Sequence, residues 1–466
     1  MMYRHFPFCR GLVAGTAIAV TGFFCTEIYA SENKRDAFMK PFTSLSAEQK
    51  FNHSLGRSLF EKFWVAAPSS TTASDGLGPL YNARSCHSCH LNNGKGHAPA
   101  ALQNATNVPS FFLRLKQWPQ SKHADSKKAV EPDPIYGTQL QSNSNINIPA
   151  EMKMNIQYEY YTVTFLDGST SELRKPNYLF ERFFYGKPHE NTQYSGRVSP
   201  ALIGVGLFDA VDDTTLLKFA DPDDKDNDGI SGKANIVWDE TKKTWRPGRF
   251  GWKATVATLT QQNQSAFNGD LGLSTPLFSN PNGDCTIAQH QCLELQNGNS
   301  PHMDNLEVSH VVTDMVDTFT ALSAPPKMRN LANEKFIQGK VIFDNLQCAA
   351  CHKPVMKTGV HTTFSELNNK TFYPFSDLLL HDMGEGLADV GNEFDAKGSE
   401  WRTAPLWGLG LNKIVSKRES YLHDGRARSL NEAILWHGGE AQASQNSYRQ
   451  LNITQRSTLI KFLESL

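Results

Sequence analysis

Net charge of either sign is missing from this chain: 46 Lys and Arg face 47 Asp and Glu across 466 residues, leaving a formal charge of -1. That balance gives no reason to expect nucleic acid or an anionic membrane as a partner. Long apolar runs are missing too, since beyond the first thirty residues no stretch reaches the roughly 18 apolar residues of a membrane span. Cysteine is scarce, at eight, while 39% of residues are hydrophobic, enough to bury two cores.

The start of the chain reads as an export signal. Arg4 and Arg10 precede the apolar run Gly11 to Cys25, and Ile28-Tyr29-Ala30 before Ser31 is a small-residue cleavage site. A lipoprotein reading would use Cys25, but Phe23-Phe24 before it is too bulky for a lipobox. The expectation is a periplasmic protein cleaved near Ala30, with residues 1–30 removed.

The cysteines then divide by position. Cys9 and Cys25 leave with the signal, and Cys285 and Cys292 form an even pair that reads as a structural disulfide in an oxidising compartment. The other four lie in two copies of Cys-x-x-Cys-His, at Cys86, Cys89 and His90 and at Cys348, Cys351 and His352. Two thiols at this spacing can form thioethers to the two vinyl groups of one haem while the adjacent His binds iron from the proximal side. Zinc would call for further Cys or His nearby, and a redox dithiol would not call for His after the second Cys twice. Two covalently bound c-type haems are therefore expected.

The second half of the chain repeats the first. Arg197-Val198-Ser199-Pro200-Ala201-Leu202-Ile203-Gly204-Val205-Gly206 matches Arg402-Thr403-Ala404-Pro405-Leu406-Trp407-Gly408-Leu409-Gly410, and the segment Trp252 to Leu259 matches His423 to Leu430. The unchanged order implies duplicated cytochrome c-like domains. The expected fold is mainly α: a signal over 1–30, a haem domain over 31–328 enlarged by loop and β insertions, and a second haem domain over 329–466. Helices are expected over Asn305 to Leu322, Asn333 to Asp344 and Thr454 to Leu466. Ala324-Pro325-Pro326 marks the boundary. Between residues 100 and 190, alternating stretches such as Gln157 to Phe165 read as β-ribbon or ordered loop.

Four stretches carry a resemblance: Gly78 to Cys86, Gly248 to Ala254, Leu379 to Gly384 and Leu422 to Ala427. They resemble the bacterial di-haem oxidoreductases labelled thiol oxidoreductase or peroxidase, over nearly the whole mature chain. That family is similar, more distantly, to the di-haem cytochrome c peroxidases and to MauG. The resemblance implies peroxide reduction at the amino-terminal haem with electrons entering through the carboxy-terminal haem, supplied by a small redox protein such as a cytochrome c or cupredoxin. The alternatives are a MauG-like oxidase acting on a protein or peptide partner and a di-haem electron carrier without enzymatic activity.

In the peroxidases a Trp is followed by Gln ten residues later and Glu a further ten on. Here Trp252 is followed by Gln262 at ten and Asp270 after eight more. The resemblance implies an electron relay at Trp252, a pocket residue at Gln262 and a proton carrier at Asp270, against bland readings as a core aromatic and a loop or cap residue. His97 is the one His shortly after the first motif, and an open or water-occupied sixth site is preferred there. For the second iron the resemblance implies His437 as distal ligand, with Met383 as competitor. Separately, Asp224, Asp226 and Asp228 before Gly229 match the alternating carboxylates of a calcium loop, with Asn235 where such loops carry Glu and with Asp221 or Asp223 able to complete the shell.

Overall fold

Helices form where capping and apolar spacing favour them. In the computed structural model, which describes residues 34–102, 108–122 and 124–466, the closing helix Ile453–Leu463 starts with a capping box between Asn452 and Gln455. The helix Glu334–Asn345 is capped by the Asn333 side chain, which accepts the Lys335 N–H. The helix expected from Asn305 begins only at His310 and runs to Leu322, because Asp304 and Asn305 adopt left-handed backbone at φ 61° and 60°. The signal expected over 1–30, and with it Cys9 and Cys25, lies outside the described residues.

Helix takes 29% and strand 19% of the described residues, so helix leads without dominating. Every sheet among the described residues is a two-stranded antiparallel pair. The longest is a ribbon of Met152–Thr164 against Thr170–Phe183, in the region where β-ribbon or ordered loop was expected. Met152, Met154, Ile156 and Tyr158 alternate into a core shared with Leu113, Leu115 and Val198. The far end reaches the carboxy-terminal half, where Phe165 and Leu173 bury beside Tyr448 and Phe462. Arg456 holds that tip through Asp167 at 3.0 Å.

Residues 34–466 form one compact unit, within which residues before and after the Pro325-Pro326 step interlock. Gly204 and Gly408 hold matching left-handed positions at φ +57° and +75°, and Thr258 and Ser429 cap matching helices, Leu259–Leu271 and Leu430–Leu435. Each turn glycine receives the residue preceding the other. Trp407 comes within 2.8 Å of where a Cβ on Gly204 would stand, and Ile203 within 2.8 Å of one on Gly408, so only glycine permits the approach. The halves also trade backbone bonds: Val198 N–H donates to the His423 carbonyl at 2.8 Å, and Arg402 N–H donates to the Trp252 carbonyl at 2.9 Å.

A buried ion cluster joins the same halves. Arg197 Nη2 lies 2.7 Å from Asp389 and 3.1 Å from Glu393, and Lys116 Nζ lies 3.2 Å from Glu393. Burial alone would raise the Glu393 carboxyl, but Lys116, Arg197 and Lys253 outweigh it and hold the group at about 2. A folded-state value below the ordinary 4.5 means the pair contributes stability above that pH and loses it as pH falls toward about 2. Glu393→Gln, which leaves buried cations short of a partner, is expected to cost about 3 kcal/mol at neutral pH and to flatten the acid limb over that window. Denaturant melts at stepped pH measure both.

Candidate di-haem cavity

Both Cys-x-x-Cys-His motifs fold as one tight turn. His90 N–H donates to the Cys86 carbonyl and His352 N–H to the Cys348 carbonyl, each at 3.0 Å, which sets both thiols and the following ring around the same turn. The first is a short helix, Cys86–Cys89, whose N-cap Ser85 accepts the Ser88 N–H; the second is a 3-10 turn, Cys348–Ala350. All four thiols are free, whereas Cys285 and Cys292 are joined as the expected disulfide.

The two histidines are prepared alike. His90 Nδ1 lies 2.8 Å from the Pro200 carbonyl and His352 Nδ1 lies 2.9 Å from the Phe375 carbonyl. A carbonyl only accepts, so each Nδ1 carries the proton and Nε2 keeps its lone pair, the tautomer an iron ligand needs. Burial also pushes both rings down to about 4, keeping them neutral. Both rings and all four thiols line a single cavity of about 900 Å³. Paired free thiols beside an Nε2-presenting His fit covalent haem at each end of it.

The cavity brings together most of the residues expected from sequence. Trp252, Gln262, Asp270, Met383 and His437 all line it. Trp252 donates its indole N–H to the Val198 carbonyl at 2.8 Å, and the Lys95 ammonium sits 4.8 Å from its ring centroid. Gln262 and Asp270 lie on the helix Leu259–Leu271. Burial raises the Asp270 carboxyl, with Arg114 and a Gln139 hydrogen bond pulling the other way, and its charge is felt by both Cys86 and Cys89. His437 follows the helix Leu430–Leu435, donates Nδ1–H to the Ala433 carbonyl at 2.8 Å and influences His352 electrostatically. His97, by contrast, lines a separate cleft with Arg174 and Arg418.

Other cavity residues carried no role in the sequence reading. His423 stacks on Trp401 at 3.7 Å between centroids and 10° between planes, and burial followed by four surrounding cations drives it well below its ordinary range. His381 is clamped between Glu440 at 2.6 Å and Asp377 at 3.0 Å. Both stand in stretches quoted for the resemblance, so their types were visible while their distant partners, Trp401 and Glu440, were not. Lys95, five residues past His90, had no sequence signal.

The acidic loop lies apart from this cavity. Carboxylate oxygens of Asp224, Asp226 and Asp228 all fall within 4.8 Å of one another, with Asp224 at φ 48° and Gly229 at φ 82° forming the tight turn. Asn235 does not complete the set. It is fully buried, and its amide is committed to the Lys253 and Glu393 carbonyls and the Asp395 N–H. Among the flanking acids, Asp221 accepts the Lys225 N–H through Oδ2 while its buried Oδ1 lacks a partner.

No helix among the described residues is long and apolar enough to cross a membrane. A search of curated proteins returns no match. Among solved structures, a chain of Kuenenia stuttgartiensis hydrazine synthase pressurised with xenon is similar at 15% identity and a TM-score of 0.24, covering 57% of this chain and 87% of that one; so slight a likeness carries no argument. The family described as "Di-haem oxidoreductase, putative peroxidase" matches residues 17–466. Two prepared Cys-x-x-Cys-His turns on one cavity and a match over nearly the whole chain place this protein in the di-haem oxidoreductase family.

Proposed function

We propose that the protein is an exported, periplasmic di-haem oxidoreductase that reduces hydrogen peroxide at the Cys86–His90 end of the cavity, with electrons entering at the Cys348–His352 end from a small redox protein. The two ends belong to cytochrome c-like halves over 31–328 and 329–466. The observation that carries the reading is the half-buried Asp270 carboxyl, which lines the same cavity as both motifs. Haem, when bound, supplies the redox chemistry at iron.

The chain does the rest. His90 and His352 would each hold a haem iron through Nε2, and His437 would offer its Nε2 to the second iron. Burial favours the neutral Asp270 carboxyl, which suits a group that takes a proton from the near oxygen of peroxide and returns it to the departing one. Gln262 lines the pocket beside it, and Trp252 carries charge between the two ends. Each peroxide consumes two electrons and two protons and leaves as two waters.

Asp270→Asn is expected to slow the first reaction with peroxide by ~10²–10⁴-fold while leaving both resting spectra intact. Trp252→Phe should permit that reaction and slow transfer of the second oxidising equivalent. Stopped-flow spectra separate the two, and an unchanged rate in Asp270→Asn removes the proton role from Asp270.

The ligand assignment is tested independently. His437→Gly is expected to convert one low-spin ferric signal to high-spin and leave the other iron unaffected; the same change in Met383→Ala instead would move the role to Met383.

Asp224, Asp226 and Asp228 bind calcium in this reading, because three converging carboxylates repel one another without a cation. Chelation is expected to lower the melting temperature. An unchanged melt with no calcium in elemental analysis leaves a solvated acidic turn.

A further inference from the structure

The wall behind Asp270 is built more elaborately than a pocket lining requires. Gln139 is fully buried, and its Nε2 donates to the Gly269 carbonyl at 2.7 Å and to Asp270 Oδ1 at 2.8 Å. Turning the amide over would set its oxygen against two acceptors, so the donor direction is fixed. Among the described residues no protein group bonds Asp270 Oδ2. The Gln139 N–H therefore occupies one carboxyl oxygen and leaves the other to hold the proton.

Gln139 is itself held from behind. Asp284 Oδ2 accepts the Thr138 N–H, the Thr138 hydroxyl at 2.9 Å and the Gln139 N–H at 3.2 Å. The Asp284 carboxylate fills the space that a Cβ on Gly137, at φ +68°, would need. Asp284 precedes Cys285, whose disulfide to Cys292 closes the loop. That loop docks on the same segment twice more, through the Thr286 hydroxyl to the Ile135 carbonyl at 2.7 Å and Gln289 Nε2 to Glu151 at 2.6 Å. Such multiple fastening of a loop, ending on one amide aimed at one carboxyl, is what holding an acid/base group within hydrogen-bond reach of its target demands.

We propose that Gln139 and Asp284 are positioning residues for Asp270, forming a buried bracket, locked by the Cys285–Cys292 loop, that fixes which carboxyl oxygen faces the cavity. The inference rests on the reading of Asp270 as proton carrier and deepens it. It gives the Cys285–Cys292 disulfide loop a part in the chemistry.

The test combines two readouts on the haem-loaded protein. Gln139→Leu is expected to slow the peroxide reaction by about 10-fold, a fraction of what a positioned carboxylate supplies, and to cause no further slowing in an Asp270→Asn background. Asp284→Leu should behave like Gln139→Leu, while Asp284→Asn, whose side-chain oxygen still accepts the three donors, should restore the rate. Equal slowing in both backgrounds would mean general structural damage and overturn the inference. Infrared difference spectra give the readout independent of turnover: the Asp270 carboxyl band, identified by its loss in Asp270→Asn, is expected to shift in Gln139→Leu. An unshifted band overturns the bracket whatever the rates, and it still decides if Asp284→Leu does not fold. If the band shifts but Asp270→Asn reacts at the wild-type rate, the bracket stands and the proton-carrier reading fails.

Discussion

The two halves of this chain hold one another's site together. Val198 bonds the backbone of His423 and Arg402 bonds the backbone of Trp252, so each half fixes the turn that the other half contributes to the cavity. Backbone groups buried this deeply must be paired, and here the available partners come from across the repeat. The glycine turns repeat the exchange through Trp407 and Ile203. Both Cys-x-x-Cys-His turns open on the same space. The Arg197, Lys116, Asp389 and Glu393 cluster ties the same seam with charge, at a desolvation cost that its hydrogen bonds offset.

Chemistry enters this frame through proton placement. At His90, His352 and His437 alike, a backbone carbonyl fixes the proton on Nδ1, leaving the Nε2 lone pair free. At Asp270 an amide N–H occupies one carboxyl oxygen. In each case a fixed hydrogen bond on one atom decides what the neighbouring atom can do, before any haem or peroxide arrives. That division of labour is what a redox enzyme asks of its protein: the cofactor supplies electron chemistry and the chain supplies orientation.

Much of this was legible in the sequence because it is local. Cys-x-x-Cys-His spacing, the apolar periodicity of the helices Glu334–Asn345 and Ile453–Leu463, and the Pro-Pro stop after the helix ending at Leu322 act within a few turns of chain. In the paired segments Thr258 and Ser429 each cap a helix, Leu259–Leu271 and Leu430–Leu435. What escaped depends on residues far apart. Gln139 meets Asp270, and Asp284 meets Gln139, only after folding, and nothing in their flanks marks them. Asn235 shows the converse: its position in a calcium-loop pattern was readable, but burial against Lys253 and Glu393 redirected its amide. His97 was close to the first motif in sequence and still turned into another cleft.

The central claim is that one cavity holds two haems in different states, a six-coordinate second iron and a first iron open to peroxide. Electron paramagnetic resonance of the purified protein, recorded with and without hydrogen peroxide, measures this most directly. The account predicts one low-spin and one high-spin ferric signal at rest, with the high-spin signal lost on peroxide addition. Two low-spin signals that peroxide leaves unchanged, even after partial reduction, would contradict it and leave an electron carrier.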